Sequence, residues 1–244
     1  MERIGTIHSI RRYPVKSMSG EDLEEARVTF AGLAGDRVYA FVETANRTSF
    51  PWMTARHGHD WIRFRPRFLE PPPATDHSPS PEQFAAEVVT PEGVCFRADA
   101  PEFTQYLEKR FGRSLRLHFS KRSITDAQPV SIFGLSTIRA LSDESGKELD
   151  PRRFRANFYA QWDDDRAFFE DTLIGRELRI GDAVNVMVLK KDVRCVMITL
   201  DPDDGMSFPT LLECVARNHE GCAGIYGTVL GEGIVRRNDP IWLI

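Results

Sequence analysis

The sequence predicts a mainly β fold with a few helices, which belongs to the α+β class. The strands are expected to form β-barrels. Three observations predict this fold. Short segments of β-branched and aromatic residues recur along the chain, and turn residues bound them. Few segments have the periodicity of an amphipathic helix. The predicted strands also do not alternate regularly with helices, as they do in a doubly wound fold.

The first half begins with a predicted strand over residues 3–13, which ends at Tyr13-Pro14 because proline disfavours helix for the residue before it. A polar loop follows, in which Lys16 and two hydroxyls could hold an oxyanion or simply form a solvated turn. The next elements are a glycine-punctuated turn at 32–37, a strand at 38–43, a basic aromatic strand within 50–69, a polar loop at 70–81, a hairpin at 87–96, a helix from Asp99 or Ala100 to Phe111 closed by Gly112, and a strand at 115–119.

The polar segment from Lys121 to Pro129 is the predicted domain boundary. It divides the chain into a first domain of residues 1–119 and a second domain of residues 120–244. The second domain is predicted to contain an apolar segment at 130–133, helices at 136–141 and 207–218, strands at 152–158, within 178–189 and at 193–202, 225–230 and 234–235, and an apolar tail at 241–243.

The strand predicted over residues 152–158 carries a possible binding surface. Its alternation places Phe154 on the inward face and Arg155 with Asn157 on the opposite face. A guanidinium beside an amide suits a phosphate group or the edge of a heterocycle. The same alternation is also typical of a strand with one face in solvent.

The strand predicted over residues 193–202 contains Cys195 next to Arg194 and ends at Asp201-Pro202. A thiol beside a guanidinium has the ingredients of a stabilised thiolate, which could be a nucleophile, a sulfur carrier or a soft metal ligand. The alternative is a buried cysteine in an ordinary strand, since free cysteine is among the most buried residue types.

The composition excludes several classes of protein. Hydrophobic residues make up 41% of the 244 residues and charged residues 28%, as in soluble globular proteins. The net charge of −4 argues against nucleic acid as a partner. No apolar segment approaches the roughly 18–20 residues of a membrane span, so we expect no membrane association and a cytoplasmic protein. The four cysteines form no Cys-x-x-Cys pair, which argues against a simple zinc ribbon.

Three separated motifs together resemble the MOSC family, named for the molybdenum cofactor sulfurase C-terminal domain. Tyr13 to Ser17 and Gly32 to Arg37 resemble its N-terminal β-barrel, and Phe154 to Asn157 resembles the Arg-x-Asn strand of the MOSC domain proper. Arg194-Cys195 with Thr199 and Asp201-Pro202 resembles its cysteine motif. The motifs extend through almost the whole chain, and their order is similar to that of the mitochondrial amidoxime-reducing component and its bacterial counterparts.

The resemblance implies a smaller β-barrel domain followed by a barrel-like MOSC domain that binds a molybdenum cofactor, a molybdenum–pterin dithiolene. It implies that Cys195 is both the protein ligand of the metal and the catalytic residue. Lys16, Ser17 and Arg37 would hold the phosphate and the pterin, together with further cofactor-binding residues. These are Arg155, Asn157, Arg194, Thr199 and Asp201.

The leading functional hypothesis is a molybdenum-dependent oxidoreductase that reduces small N-hydroxylated compounds. Its electrons would come from a separate donor protein, because the sequence has no flavin, haem or iron–sulfur motif. One alternative is a sulfur carrier with a persulfide on Cys195, for the sulfuration of a metallocofactor. Another is a protein that carries the cofactor without catalysis.

Overall fold

The structure is a computed structural model that describes residues 1–73 and 80–244, so residues 74–79 of the loop predicted at 70–81 lie outside the described residues. Strands dominate the described part of the chain, which has three α-helices. The strands of the first half are β1 (Glu2–Arg12), β2 (Glu21–Leu23), β3 (Glu25–Thr29), β4 (Gly32–Leu33), β5 (Tyr39–Glu43), β6 (Arg65–Phe68), β7 (Ala86–Val89), β8 (Cys95–Arg97) and β9 (Leu115–Phe119).

The second half contributes the remaining strands and two of the helices. The strands are β10 (Val130–Gly134), β11 (Phe158–Trp162), β12 (Glu177–Ile180), β13 (Val184–Val193), β14 (Cys222–Gly231), β15 (Gly233–Arg236) and β16 (Pro240–Leu243). Its helices are α2 (Leu135–Ser145) and α3 (Pro209–Asn218), and the first half contains α1 (Pro101–Phe111). This content confirms the predicted mainly β fold with a few helices.

A closed barrel forms the centre of the molecule. Its sheet has the order β11-β10-β14-β13-β12-β16-β1-β2, and β11 also pairs with β1, which closes seven strands into a ring. All of these pairs are antiparallel except β10 with β11. Parallel neighbours need a crossover connection, and α2 supplies it between those two strands.

The pattern of β1 shows how the sequence closes the barrel. Ile4, Ile7 and Ile10 are all buried in the barrel core, although a regular strand would turn residues three apart to opposite faces. Two register shifts resolve the conflict. One lies between Arg3 and Gly5 in the pairing with β16, beside Ile4, and the other lies between Ile7 and Ser9 in the pairing with β11, where the extra residue of a bulge returns Ile10 to the inner face.

A second hydrophobic core consists mostly of residues that follow β4, together with Val15 and Met18 from the loop after β1. The pair β5-β9 and the sheet β6-β7-β8 surround it, and α1 adds Phe103 and Leu107. The barrel core itself includes residues as early as Ile4 and Leu33. The strands β1 to β4 therefore pack with the second half of the chain, and the domain division at residues 119 and 120 stays a prediction.

Two predicted strands are wrong, and both lie at motifs of the sequence. Of the segment 193–202, only Val193 is in a strand, and Val196–Thr199 is a 3-10 helix. Of the segment 152–158, only Phe158 is in a strand. A 3-10 helix, Pro151–Phe154, occupies the start of that segment and is capped by Asp150, whose side chain accepts a hydrogen bond from the Arg152 amide.

Candidate functional site

A cavity of about 430 Å³ is lined by segments from both halves of the chain. Its lining comes from the loop after β1, the loops before β5 and β10, the turn before β11, and the end of β13 with the segment that follows it. Seven of the nine predicted site residues line it. They are Lys16, Ser17, Arg37, Arg155, Asn157, Arg194 and Cys195. Segments far apart in the sequence therefore converge on one site.

Thr199 and Asp201 do not line the cavity. The Thr199 hydroxyl donates to the Val196 carbonyl at 2.8 Å, within the 3-10 turn. Asp201 pairs with the buried guanidinium of Arg153, 2.6 Å away, and Arg153 also donates to the Thr199 carbonyl at 2.9 Å. These two residues thus hold the turn that follows Cys195.

Cys195 lies at the point where the chain leaves β13. Its backbone is extended, with φ −127° and ψ 179°, and its carbonyl accepts the first hydrogen bond of the 3-10 turn, from the Ile198 amide. The side chain lines the cavity, and the residue is half-buried. A thiol in this position is reachable from the cavity and sheltered from bulk solvent.

Arg194, predicted from the sequence as a neighbour that stabilises the thiolate, makes several contacts within the protein. Its guanidinium donates to the carbonyls of Ala223 and Phe154, at 2.7 and 2.9 Å. Its Nη2 lies 2.7 Å from a carboxylate oxygen of Asp192. These contacts join the end of β13 to β14 and to the turn before β11, so Arg194 fixes the position of the loop that carries Cys195.

Asp192 and Tyr226 are cavity residues that the sequence reasoning missed. Asp192 is 3% exposed, and burial raises the pKa of its carboxyl to about 6 against the opposing effect of Arg194. The Tyr226 hydroxyl hydrogen-bonds this carboxylate, and burial raises the pKa of the tyrosine as well. Asp192 and Arg194 are two residues apart at the end of a strand, and residues at this spacing lie on the same face of a strand. The sequence could therefore have predicted this ion pair.

Three cavity residues have left-handed backbone conformations that side-chain-bearing residues rarely adopt. Ser17, Arg37 and Arg155 have φ values of 65°, 49° and 53°. A positive φ in such residues is costly unless the surroundings hold it, and strain of this kind clusters at ligand sites. All three lie in the turns that bring the polar side chains of the cavity together.

Arg155 presents an unsatisfied donor to this site. Its guanidinium lies over the Tyr13 ring, 4.3 Å from the centroid, and that of Arg37 lies 4.6 Å from the same centroid. The Nη2 atom of Arg155 is buried and has no hydrogen-bond partner among residues 1–73 and 80–244. Burial lowers the pKa of Arg155 to about 10, and the charge of Arg37 adds to that shift. An anion in the cavity would relieve both costs.

Asn157 is buried and is engaged within the protein. Its side-chain carbonyl accepts hydrogen bonds from the amide and the hydroxyl of Ser131, at 3.1 and 3.2 Å. Its side-chain amide donates to the Arg11 carbonyl at 3.4 Å. Asn157 therefore ties β1 to β10 and shapes one wall of the cavity.

The charge of the lining is strongly positive although the chain as a whole is negative. Among the residues that the structure describes, ten charged ones line the cavity, and of these only Asp126 and Asp192 are acidic. The eight cations are Lys16, Arg37, Arg56, Arg153, Arg155, Lys190, Lys191 and Arg194. A cleft lined mostly by one sign of charge concentrates ligands of the other sign, so the cavity favours an anionic ligand.

No group of three or more His, Cys, Asp or Glu side chains in residues 1–73 and 80–244 could hold a metal ion alone. Cys214, His219 and Cys222, which lie close in sequence, do not converge: the first two contact Glu144, and the Cys222 thiol contacts the Glu220 carbonyl. A metal at Cys195 would therefore take its other ligands from a bound cofactor. None of the helices of the described chain is long and apolar enough to cross a membrane.

Comparison with protein families gives two matches. A model described as the MOSC domain matches residues 115–242, and one described as the MOSC N-terminal beta barrel domain matches residues 4–59. No curated protein matches the chain.

Comparison with solved structures gives matches at low sequence identity. The YuaD protein from Bacillus subtilis is 12% identical with a TM-score of 0.52, over 98% of this chain and 94% of that one, which supports the fold. YiiM from Geobacillus stearothermophilus is 18% identical with a TM-score of 0.39, and YiiM from Escherichia coli is 14% identical with a TM-score of 0.35. Each YiiM match covers 48% of this chain and 54% of the other.

Proposed function

The chain belongs to the MOSC domain family, and on that premise we propose that its cavity holds a molybdenum–pterin cofactor with the Cys195 thiolate as the protein ligand of the metal. One observation carries the proposal. A single half-buried thiol lines the same cavity as eight cationic side chains, and this combination suits a ligand that is both a soft metal centre and an anion.

The residues present fit such a group. Thiolate is a ligand suited to a metal that already bears sulfur ligands. Lys16, Arg37 and Arg155 would hold the phosphate of the cofactor, and the buried Nη2 of Arg155 offers a donor that no group in the described part of the chain accepts from. The volume of about 430 Å³ lies within the range of cofactor and ligand sites. Ser17 and Asn157 would contribute polar walls beside the pterin.

The activity that we propose is the reduction of N-hydroxylated compounds. The overall change breaks an N–O bond, consumes two electrons and two protons, and releases water. When bound, the cofactor would supply the two-electron redox chemistry, and a separate donor protein would supply the electrons. Asp192 can hold one of the protons on its carboxylate, because its pKa of about 6 lies close to neutral pH.

Metal and pterin analysis of purified protein tests the cofactor assignment. The host must make the molybdenum cofactor, and wild type is compared with Cys195→Ala. Cys222→Ala is the matched control, because Cys222 is half-buried to a similar degree and does not line the cavity. We expect molybdenum and pterin in wild type and in the control, and a loss of molybdenum from Cys195→Ala. Equal molybdenum in all three proteins would overturn the assignment.

The partial exposure of Cys195 favours one alternative, a sulfur carrier with a persulfide at this thiol. Mass spectrometry after incubation with a cysteine desulfurase distinguishes the two. A sulfur atom added to Cys195 in protein without molybdenum supports the carrier, and an unmodified thiol rejects it. Cofactor binding without turnover in the presence of a competent electron donor would instead indicate a non-catalytic cofactor carrier.

A further inference from the structure

We infer that the Asp126 carboxylate occupies the anion position of the cavity and that a ligand of the phosphate class must displace it from Lys16. The inference deepens the proposed function and rests on it for the identity of the ligand. It assigns Asp126 a role in setting how tightly the cavity takes an anion. Neither the motifs of the sequence nor the cofactor assignment includes this residue.

Lys16 and Asp126 are in close contact, but their side chains differ in exposure to solvent. The Lys16 ammonium lies 2.6 Å from a carboxylate oxygen of Asp126 and 2.9 Å from the Ile124 carbonyl. The Lys16 side chain is 5% exposed, whereas that of Asp126 is 56% exposed. A buried ammonium needs a counter-ion, while a half-exposed carboxylate regains its hydration when it leaves. The pair can therefore be broken if another anion takes the place of Asp126.

The surroundings of Asp126 are those of an anion site. Partial burial raises the pKa of its carboxyl, but the charges of Lys16, Arg37 and Arg56 together hold that pKa below its usual range. The same three cations line the cavity. A phosphate oxygen placed where this carboxylate lies would meet the same field.

The local backbone allows Asp126 to move without disturbing the rest of the site. The segment between β9 and β10 is held at Ser123, whose hydroxyl donates to Asp36, and at Ile124, whose amide donates to the Arg37 carbonyl. Residues 125–128 follow, line the cavity and belong to no helix or strand. A shift confined to this short segment frees Lys16 while Arg37 stays in place.

Binding of inorganic pyrophosphate to the full chain, purified from a host without the molybdenum cofactor, tests the inference by calorimetry. Asp126→Asn keeps the size of the side chain and removes the competing charge, so we expect pyrophosphate to bind about tenfold more tightly than to wild type. Asp165→Asn is the matched control, because it makes the same charge change at an exposed residue paired with Arg139, away from the cavity. The affinity of Asp165→Asn for pyrophosphate should stay within about twofold of that of wild type.

A double variant locates the effect. In the background of Lys16→Ala, adding Asp126→Asn should give no gain in affinity, because the ammonium that Asp126 occupies is no longer there. If Asp126→Asn does not fold, as judged by circular dichroism, Asp126→Ser carries the same comparison.

Each outcome decides between the inference and its premise. Equal pyrophosphate affinity of wild type and Asp126→Asn refutes the role of Asp126 and leaves the proposed cofactor site intact. A gain in Asp165→Asn as large as that in Asp126→Asn shows an effect of net charge only, and it refutes the inference. No binding to wild type or to either Asp126 variant overturns both the anion position and the proposed function.

Discussion

Replacing Arg194 by methionine should lower the free energy of unfolding by about 3–5 kcal/mol, the usual cost of removing one partner from a buried ion pair. The structure explains the size of the effect. The guanidinium satisfies two carbonyls, of Ala223 and Phe154, and lies 2.7 Å from the Asp192 carboxylate. Methionine fills a similar volume and satisfies none of these groups, so a carboxylate that is 3% exposed loses its counter-ion.

Urea denaturation followed by circular dichroism at pH 7 measures the loss. Arg166→Met is the control, because Arg166 is 71% exposed and forms an ion pair with Asp164, and its replacement should cost less than about 1 kcal/mol. Adding Asp192→Asn to Arg194→Met should recover part of the stability, since the unpaired charge is then removed.

The reasoning about Arg194 is refuted if Arg194→Met costs no more than the Arg166 control. It is also refuted if the double variant is less stable than Arg194→Met alone. Either result would mean that Arg194 does not fix the Cys195 loop, and its role would have to be sought at the thiol instead.

Three further predictions concern the same cavity. The pKa of Asp192 rises from 3.8 to about 6 on folding, so its contribution to stability is fully present below the unfolded value and is lost as pH rises through 6. The free energy of unfolding of wild type relative to Asp192→Asn, measured by urea titration, should therefore fall by about 3 kcal/mol between about pH 3 and about pH 7, and a flat difference would contradict the burial argument. Gly224→Ala should lower the free energy of unfolding by about 1–3 kcal/mol more than Gly221→Ala does, as measured by thermal unfolding. Both glycines have positive φ, but only at Gly224 would the new Cβ lie 2.6 Å from a Phe133 ring atom. Equal losses of stability in the two variants would contradict the prediction. Arg155→Ala should weaken pyrophosphate binding about tenfold in calorimetry because a buried cation is lost, and unchanged affinity would place the anion elsewhere.

The residues of the site were predictable from the sequence more fully than the local structure that carries them. The turn at Pro151–Phe154 had a signal, since Asp150 followed by Pro151 is a typical start of a helical turn. The alternation from Phe154 to Phe158 concealed it, because the strand begins only at Phe158. Arg155 and Asn157 line the cavity without being neighbours on one strand face.

The turn after Cys195 had no comparable local signal. Val193, Cys195, Met197 and Thr199 alternate as a strand would, and the chain forms a 3-10 turn because distant groups hold it. Arg153, 46 residues away, donates to the Thr199 carbonyl in this turn. Contacts between residues this far apart in the sequence do not affect the local residue pattern, so residue periodicity alone cannot predict them.

The pairing of β1 with both β11 and β16 has a consequence for how the chain folds. The partners of this strand lie at residues 158–162 and 240–243, so almost the whole chain must be made before the ring can close. Contacts this distant in sequence slow folding, because the entropy of closing a long loop is lost before any pairing energy is gained. During synthesis only the end of β1 has a nearby partner, β2, and the edges that later pair with β11 and β16 stay open, so residues 2–9 need protection from aggregation until the second half of the chain is made.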